Sequence, residues 1–356
     1  MSSIKDEIRV VLIGCGFWSR FQAPAWLEEK NVKIVGLYNR TRAKSDELSA
    51  SLGGVPVFDS VKKMIEQAEP HVVDIITNEE THKHYTLLAA RMGCHVITQK
   101  PMATNLKDCQ EMINVCQKEG VKLFVHDNWR WQSPIAGYRR ALKSGEIGQI
   151  HRGRITYANS FPVFDNQPFL KEAEKFILMD IGTHLFDTAR SLYGEAKNLF
   201  CLTKKVNEEI KGEDVATVLL DMEGGVHLTI EMSYASPVEY DDFPYTRIHT
   251  EGKKGSLELA PELWIRKTIS QGWERSQTTS HKISLASRTW ADPDYILSTT
   301  SCEPAIKDIV ADLRGDHVSE LRGESYLNTM LWVFACYRSA EKGIKVNLID
   351  FKRSLK

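Results

Sequence analysis

The feature that most restricts this chain is an alternation running from residue 8 to residue 126, where short and almost uninterrupted apolar runs are separated by stretches of helical periodicity. The runs are Ile8 to Ile13, Val32 to Tyr38, Val72 to Thr77, His95 to Thr98 and Lys122 to His126. Helical patterns over Pro24 to Glu29, Arg42 to Ser51, Val61 to Gln67, His82 to Met92 and Leu106 to Lys118 lie between or after them. Strands that read as continuous apolar runs are buried on both faces, and a strand–helix–strand repeat achieves that only in a parallel sheet covered by helices. Residues 1–127 are therefore expected to form a Rossmann-type α/β domain.

Beyond residue 127 the pattern changes. Helices are expected over Ile135 to Lys143 and Asp180 to Leu192, with a strand over Gln149 to Asn159 between them. Val215 to Asp221, Val226 to Ser233, Tyr245 to Thr250 and Ser256 to Leu259 read as strands joined by short glycine turns, which is the form of an antiparallel sheet. Ser270 to Ser301 is polar and weakly periodic and reads as loop, and Tyr326 to Lys342 reads as a closing helix that packs back toward the first domain. A chain of 356 residues exceeds the size at which one core stops growing. The expectation is two domains, the second, 128–356, being an open, predominantly antiparallel α+β domain.

Charge and composition exclude several partners. With 46 Lys and Arg against 47 Asp and Glu, the chain lacks the basic excess that neutralises phosphates in nucleic acid. No apolar stretch approaches the roughly 20 residues that cross a bilayer, and the polar start lacks the order of a signal peptide. A cytoplasmic protein without membrane association is expected. Seven scattered cysteines, odd in number and with no C-x-x-C pair, read as reduced thiols and give no metal site.

The chemistry starts at Gly14-Cys15-Gly16-Phe17-Trp18-Ser19, directly after the first strand. Gly14 and Gly16 let the chain turn tightly and present backbone N–H groups, with those of Phe17 and Trp18, to a pyrophosphate at a helix start. The end of the second strand reads Tyr38-Asn39-Arg40-Thr41-Arg42, with no carboxylate to repel a 2′-phosphate. Arg40 and Arg42 suit such a phosphate and tilt the reading from NAD toward NADP, while Asn39 equally suits a free ribose.

At this point the chain resembles the Gfo/Idh/MocA family of NAD(P)-dependent sugar oxidoreductases. The resemblance runs through the glycine turn, Thr77-Asn78-Glu79-Glu80-Thr81-His82, Gln99-Lys100-Pro101, Asn128-Trp129-Arg130, Asp180-Ile181-Gly182-Thr183-His184 with Asp187, Glu213-Asp214-Val215-Ala216 and Gly252 to Leu257. It implies hydride transfer between NAD(P) and a hydroxyl carbon of a sugar, polyol or sugar acid. His184 is then the general base, Lys100 a cation that stabilises the developing alkoxide, and Asp180 the residue that orients substrate or imidazole. Thr77, Asn78, Gln99 and Asn128 follow strand ends, where ligands of open parallel sheets bind, and are cofactor candidates. His82 reads as ordering the turn beside them.

The family usually carries glutamate where this chain has Gln99, which keeps a hydrogen-bonding amide but loses a charge beside Lys100. Trp129 and Arg130 are substrate-binding candidates, with core packing an equally good account of the tryptophan. Asp180 and His184, four apart on one expected helix, share a face; Gly182 between them is expected to leave room for a ligand, and Asp187 to orient His184 or to point elsewhere. Read alone, the pair would be a capping carboxylate and a buried histidine. A homodimer or homotetramer is implied. Two other readings stay open: an internal redox isomerase or eliminating enzyme with a held cofactor, and a non-catalytic nucleotide sensor.

Overall fold

The computed structural model describes residues 4–239, 245–272, 275–285 and 287–354. Two compact units result, one of Met1–Asn128 with Ser287–Met330 and one of Trp129–Ala286 with Leu331–Lys356.

In the first unit, β1 (Ile8–Ile13), β2 (Val32–Tyr38), β3 (Val72–Ile75), β4 (His95–Gln99) and β5 (Leu123–His126) form a sheet of order β2-β1-β3-β4-β5. All its pairings are parallel. The helices are α1 (Ser19–Leu27), α2 (Arg42–Ser51), α3 (Val61–Ala68), α4 (Glu79–Arg91) and α5 (Leu106–Lys118). The order reverses at β1, whose neighbours are β2 and β3, and the crevice at such a reversal is where open α/β sheets take ligands. The boundary that differs most from expectation in this sheet and its helices is the start of α1, which begins at Ser19 and contains Pro24 rather than starting there. The helix start thus lies directly behind the glycine turn.

Residues 287–330 join this unit, whereas the sequence pattern alone places everything after 127 in the second domain. The cause is the helix Cys302–Arg314, whose buried Ala305, Ile306, Ile309, Val310 and Leu313 make an apolar stripe that packs against α1. Backbone and charge tie the segment down as well: Val125 N–H donates to Leu321 O at 2.9 Å, and Lys122 Nζ lies 3.0 Å from the Asp312 carboxylate. The expected closing helix is longer, Gly323–Lys342; its first residues count with the first unit and the rest with the second.

The second unit is built on β6 (Ile150–Ala158), β7 (Ala196–Lys204), β8 (Val215–Met222), β9 (His227–Ser233), β10 (Arg247–Gly252), β11 (Gly255–Ala260), β12 (Trp264–Ser270), β13 (Ser276–Lys282) and β14 (Val346–Asn347). Their order is β13-β12-β11-β10-β6-β9-β8-β7-β14, antiparallel except for the β6–β9 pair. The sheet is larger than expected. Of the stretch 270–301 read as loop, β13 is a strand, Ile296–Thr300 is helical, and residues 273, 274 and 286 lie outside the described residues. Ser276–Lys282 is exposed throughout, so it has no buried face and no apolar alternation to announce it. One sheet face is covered by α6 (Ser133–Lys143) and the helix Thr183–Tyr193: a Cβ on Gly137 would stand 3.3 Å from Ile265 of β12, and one on Gly153 of β6 2.9 Å from Tyr193.

Among the described residues no helix is long and apolar enough to cross a membrane. All seven cysteines are buried and free.

Candidate active site

Gly14 closes β1 with φ at +102°, and a Cβ there would lie 2.1 Å from Ile76 O. Only glycine fits, on both conformation and space. Its N–H donates to Tyr38 O at 2.8 Å, and the next N–H, of Cys15, donates to Asn39 Oδ1 at 3.0 Å. Asn39 Nδ2 donates in turn to Thr41 O at 2.9 Å, so the asparagine latches the ends of β1 and β2 together. Burial pushes the Cys15 thiol up to about 12, leaving it inert.

Gly16 is the opposite case: a Cβ there would meet nothing within 4 Å. The N–H groups of Gly16, Phe17 and Trp18 find no backbone acceptor among the described residues. Ser19 Oγ donates to Gly16 O at 2.6 Å and fixes the turn from behind, and the first turn of α1 carries no acidic residue. Open space, unused donors and the positive end of a helix dipole together fit a pyrophosphate. Phe17 is exposed and packs edge-on against Trp18, Phe21 and Tyr295. Of the two arginines after β2, Arg42 is engaged by Asp46 at 2.9 Å and Asp59 at 2.6 Å. Arg40 is exposed, and no ion pair of it with a described residue occurs within 4.0 Å.

At the ends of β3 and β4, His82 staples two turns. Its Nδ1 lies 3.0 Å from Pro101 O and its Nε2 3.0 Å from Thr77 O, at full burial. Burial holds the imidazole pKa below its ordinary value, so the neutral ring donates through one nitrogen at a time. The bond between Lys100 and Pro101 is cis. Thr77 Oγ1 accepts from Thr81 Oγ1 at 2.7 Å, and Asn78 stands at the N-cap of α4 without a side-chain capping hydrogen bond among the described residues.

Gln99 donates from Nε2 to Gln22 Oε1. Gln22 Nε2 lies 2.9 and 2.7 Å from the two oxygens of Asp74, and Trp26 Nε1 donates to Asp74 Oδ2 at 2.8 Å. Asn128 is turned inward: its Nδ2 donates to Ser298 O at 2.7 Å and to Ser301 Oγ at 2.9 Å, which spends the amide nitrogen on holding the segment after residue 287.

The second unit holds the other candidates. Asp180 and His184 do not share one regular α-helix. Asp180 sits in a π-helical turn, Leu178–Gly182, and His184 in the α-helix Thr183–Tyr193 that continues it. Such turns interrupt α-helices where a side chain must be re-aimed. Glu213 explains how the turn is held, since its carboxylate accepts from Phe176 N and Leu178 N at 3.2 Å each and from Tyr337 OH at 2.7 Å. Gly182 does not open space for a ligand. It is buried, and a Cβ there would meet Met232 and Phe186 at 3.5 Å each.

His184 is 5% exposed and stacks on Trp129, ring centroids 4.1 Å apart and planes 26° from parallel. Trp129 is anchored by Nε1 donating to Thr246 Oγ1 at 2.9 Å. Tyr234 OH donates to Asp180 Oδ2 at 3.1 Å; burial and the Asp180 charge hold the phenol pKa well above its usual value, so it stays a donor. Arg130 and Asp187, read as substrate-binding and histidine-orienting candidates, form a buried bidentate pair, with both N–O distances 2.5 Å.

The sequence pattern does not mark Gln22, Trp26, Asp74, Tyr234 or Thr246 as site residues. For Asp74 a signal exists: an aspartate in the otherwise apolar strand Val72–Ile75 must find buried partners.

Comparison with known proteins places this geometry. The model of an oxidoreductase family with an NAD-binding Rossmann fold matches residues 8–127, and that of the GFO/IDH/MocA C-terminal domain matches residues 135–258. The chain belongs to the Gfo/Idh/MocA family of oxidoreductases. A D-apiose dehydrogenase of Paraburkholderia graminis is 34% identical over 95% of this chain and 88% of the relative, and one of Rhizobium rhizogenes is 33% identical over 96% and 98%. Among solved structures, an oxidoreductase from Agrobacterium radiobacter in complex with NAD+, L-tartaric acid and magnesium aligns with a TM-score of 0.90. It is 31% identical, covering 96% of this chain and 98% of that one. As a Gfo/Idh/MocA member the chain is an oxidoreductase, and the glycine cradle is the part of it that fits the family's dinucleotide.

Proposed function

We propose that this chain oxidises a hydroxyl-bearing carbon of a small sugar, with D-apiose the first candidate, using NAD. Its likeness along nearly the whole length to two D-apiose dehydrogenases carries the reading. NAD is preferred to NADP because, of the two arginines after β2, Arg42 is paired with Asp46 and Asp59, which leaves only Arg40 of that pair without an ion pair among the described residues. When bound, the dinucleotide supplies a pyridinium that accepts a hydride.

The chain's own groups supply the rest. The N–H groups of Gly16, Phe17 and Trp18 hold the pyrophosphate, and Thr77, Asn78 and Gln99 at the strand ends bind the nicotinamide ribose. His184 takes the hydroxyl proton as the same carbon gives up its hydride, so the alcohol becomes a carbonyl and one proton leaves through the imidazole. Lys100 stabilises the oxygen as its negative charge develops, and Asp180, held by Tyr234, orients the substrate hydroxyls. The indole of Trp129 fixes the imidazole plane. Leu202 and Leu219 stand exposed on the sheet face opposite the helices, which supports a homo-oligomer closed over that face.

The test is a panel of D-apiose, other aldoses, polyols and sugar acids including L-tartrate, with NAD and NADP, followed at the nicotinamide absorbance. D-Apiose with NAD should give the highest kcat/KM. No nicotinamide reduction by any compound would overturn the reading; product formed at constant absorbance would replace it with internal redox chemistry.

A further inference from the structure

Asp74 lies in the centre of β3 with no exposure, between two strands and under α1. A carboxylate is an acceptor only. Its oxygens are met by Trp26 Nε1 at 2.8 Å and by Gln22 Nε2 at 2.9 and 2.7 Å, and both donors come from one face of α1. That arrangement fixes the sense of the Gln22 amide. With its nitrogen on Asp74, its oxygen must point the other way, and there it accepts from Gln99 Nε2. The Gln99 amide is fixed in turn: its nitrogen faces Gln22, with His126 Nδ1 3.5 Å away, and no described residue donates to its Oε1. The one buried Asp74 carboxylate thus sets the orientation of two amides in series.

We infer that Asp74 and Gln22 are positioning residues that hold Gln99 with its carbonyl oxygen, rather than its NH2, presented at the end of β4 as the acceptor for a nicotinamide-ribose hydroxyl. This rests on the proposed cofactor reading, in which Gln99 faces the ribose. The chemistry is one of matched polarity. A ribose hydroxyl that donates needs an acceptor, and a freely flipping glutamine offers one only part of the time. The relay removes the choice at a distance from the cofactor, with the charge kept in the core.

The test inverts one element and then restores the match. Q99E keeps the shape of residue 99 but turns its donor into an acceptor, so it opposes Gln22 Oε1. Gln22 can serve the introduced carboxylate only by flipping, which sets its own oxygen against Asp74. D74N supplies the amide donor that a flipped Gln22 needs. NADH binding is measured by fluorescence titration of the full chain at pH 8, above the about 7 to which burial pushes the Asp74 carboxyl, with the thermal midpoint recorded for each variant.

The expected result is that Q99E weakens NADH binding about tenfold and that adding D74N recovers it to within about threefold of wild type, in the range of couplings measured for contacting residues. D74N in the wild-type background should not tighten binding. If D74N changes the affinity by the same factor in both backgrounds, the relay is overturned while the cofactor reading stands. If the wild-type protein binds no NADH, the cofactor reading fails and the relay with it. Should the double variant not fold, Q22M cuts the relay with a side chain of similar shape, and an unchanged NADH affinity in that variant overturns the inference.

Discussion

The indole of Trp129 lies over the imidazole of His184, with centroids 4.1 Å apart, and the indole N–H is itself tied to Thr246. The histidine thus has one face fixed by a ring that is anchored at its far end, which restricts both its rotation and its exposure. If His184 is the base, W129A should lower kcat about 10–100-fold, as misplacement of a general base does, with NADH affinity unchanged. W129F should recover part of the loss. Steady-state kinetics together with NADH titration check this, and equal losses in kcat and NADH affinity would contradict it.

Gly14 and Gly16 lie two residues apart and should fail in different ways. An alanine at 14 meets Ile76 O and a left-handed φ, so G14A should lower the thermal midpoint and abolish NADH binding. An alanine at 16 meets no protein atom within 4 Å, so G16A should fold with a near-native midpoint and still lose NADH affinity, because its methyl enters the space kept for the pyrophosphate. Native NADH binding by G16A would show that the cradle lies elsewhere.

Arg130 and Asp187 are buried, and neither should be removable alone. D187A leaves an uncompensated guanidinium and should cost about 3–5 kcal/mol of stability. The double variant R130M/D187L should recover much of it. Chemical denaturation of the three proteins gives the comparison, and a D187A cost under about 1 kcal/mol would deny the pair its structural role.

The pH dependence of stability should carry the mark of Asp74. Burial raises its folded pKa from 3.8 to about 7, against the donors Trp26 and Gln22, which pull it down. The native state therefore keeps a proton that the unfolded chain releases, and the stabilisation present below the unfolded pKa is lost as pH rises through about 7. The midpoint of D74N relative to wild type should accordingly move upward between about pH 5 and pH 8, and a constant difference across that range would contradict the shift.

Cofactor choice should follow Arg40. R40A should reduce whatever NADP activity the protein has and leave NAD activity nearly intact. R42A, whose partners are Asp46 and Asp59 on the surface, should change neither ratio nor midpoint appreciably. A ratio altered by R42A alone would reverse the assignment.

Much of the first unit was legible because parallel strands buried on both faces leave unbroken apolar runs, and β1 and β2 lie where those runs lie. The glycine turn was legible because only glycine tolerates the approach to Ile76 O. The contribution of Cys302–Arg314 was not, since a helix that packs on a unit far earlier in the chain is announced by its stripe and not by its destination. β13 was invisible because it buries nothing. In the second unit, spacing alone suggested that Asp180 and His184 share a helical face, whereas a π turn, set by Glu213 from another element, changes the relation. Amide polarity, as at Gln22 and Gln99, has no sequence signature; it emerges when the donors around Asp74 are counted.

The most direct measurement of the central claim is single-turnover NADH formation from D-apiose by the wild-type, H184A and K100A proteins, each first shown to bind NADH. Wild type should form NADH rapidly, and both variants should be slower by orders of magnitude at nearly native NADH affinity. Wild-type rates in the two variants would contradict the assigned chemistry.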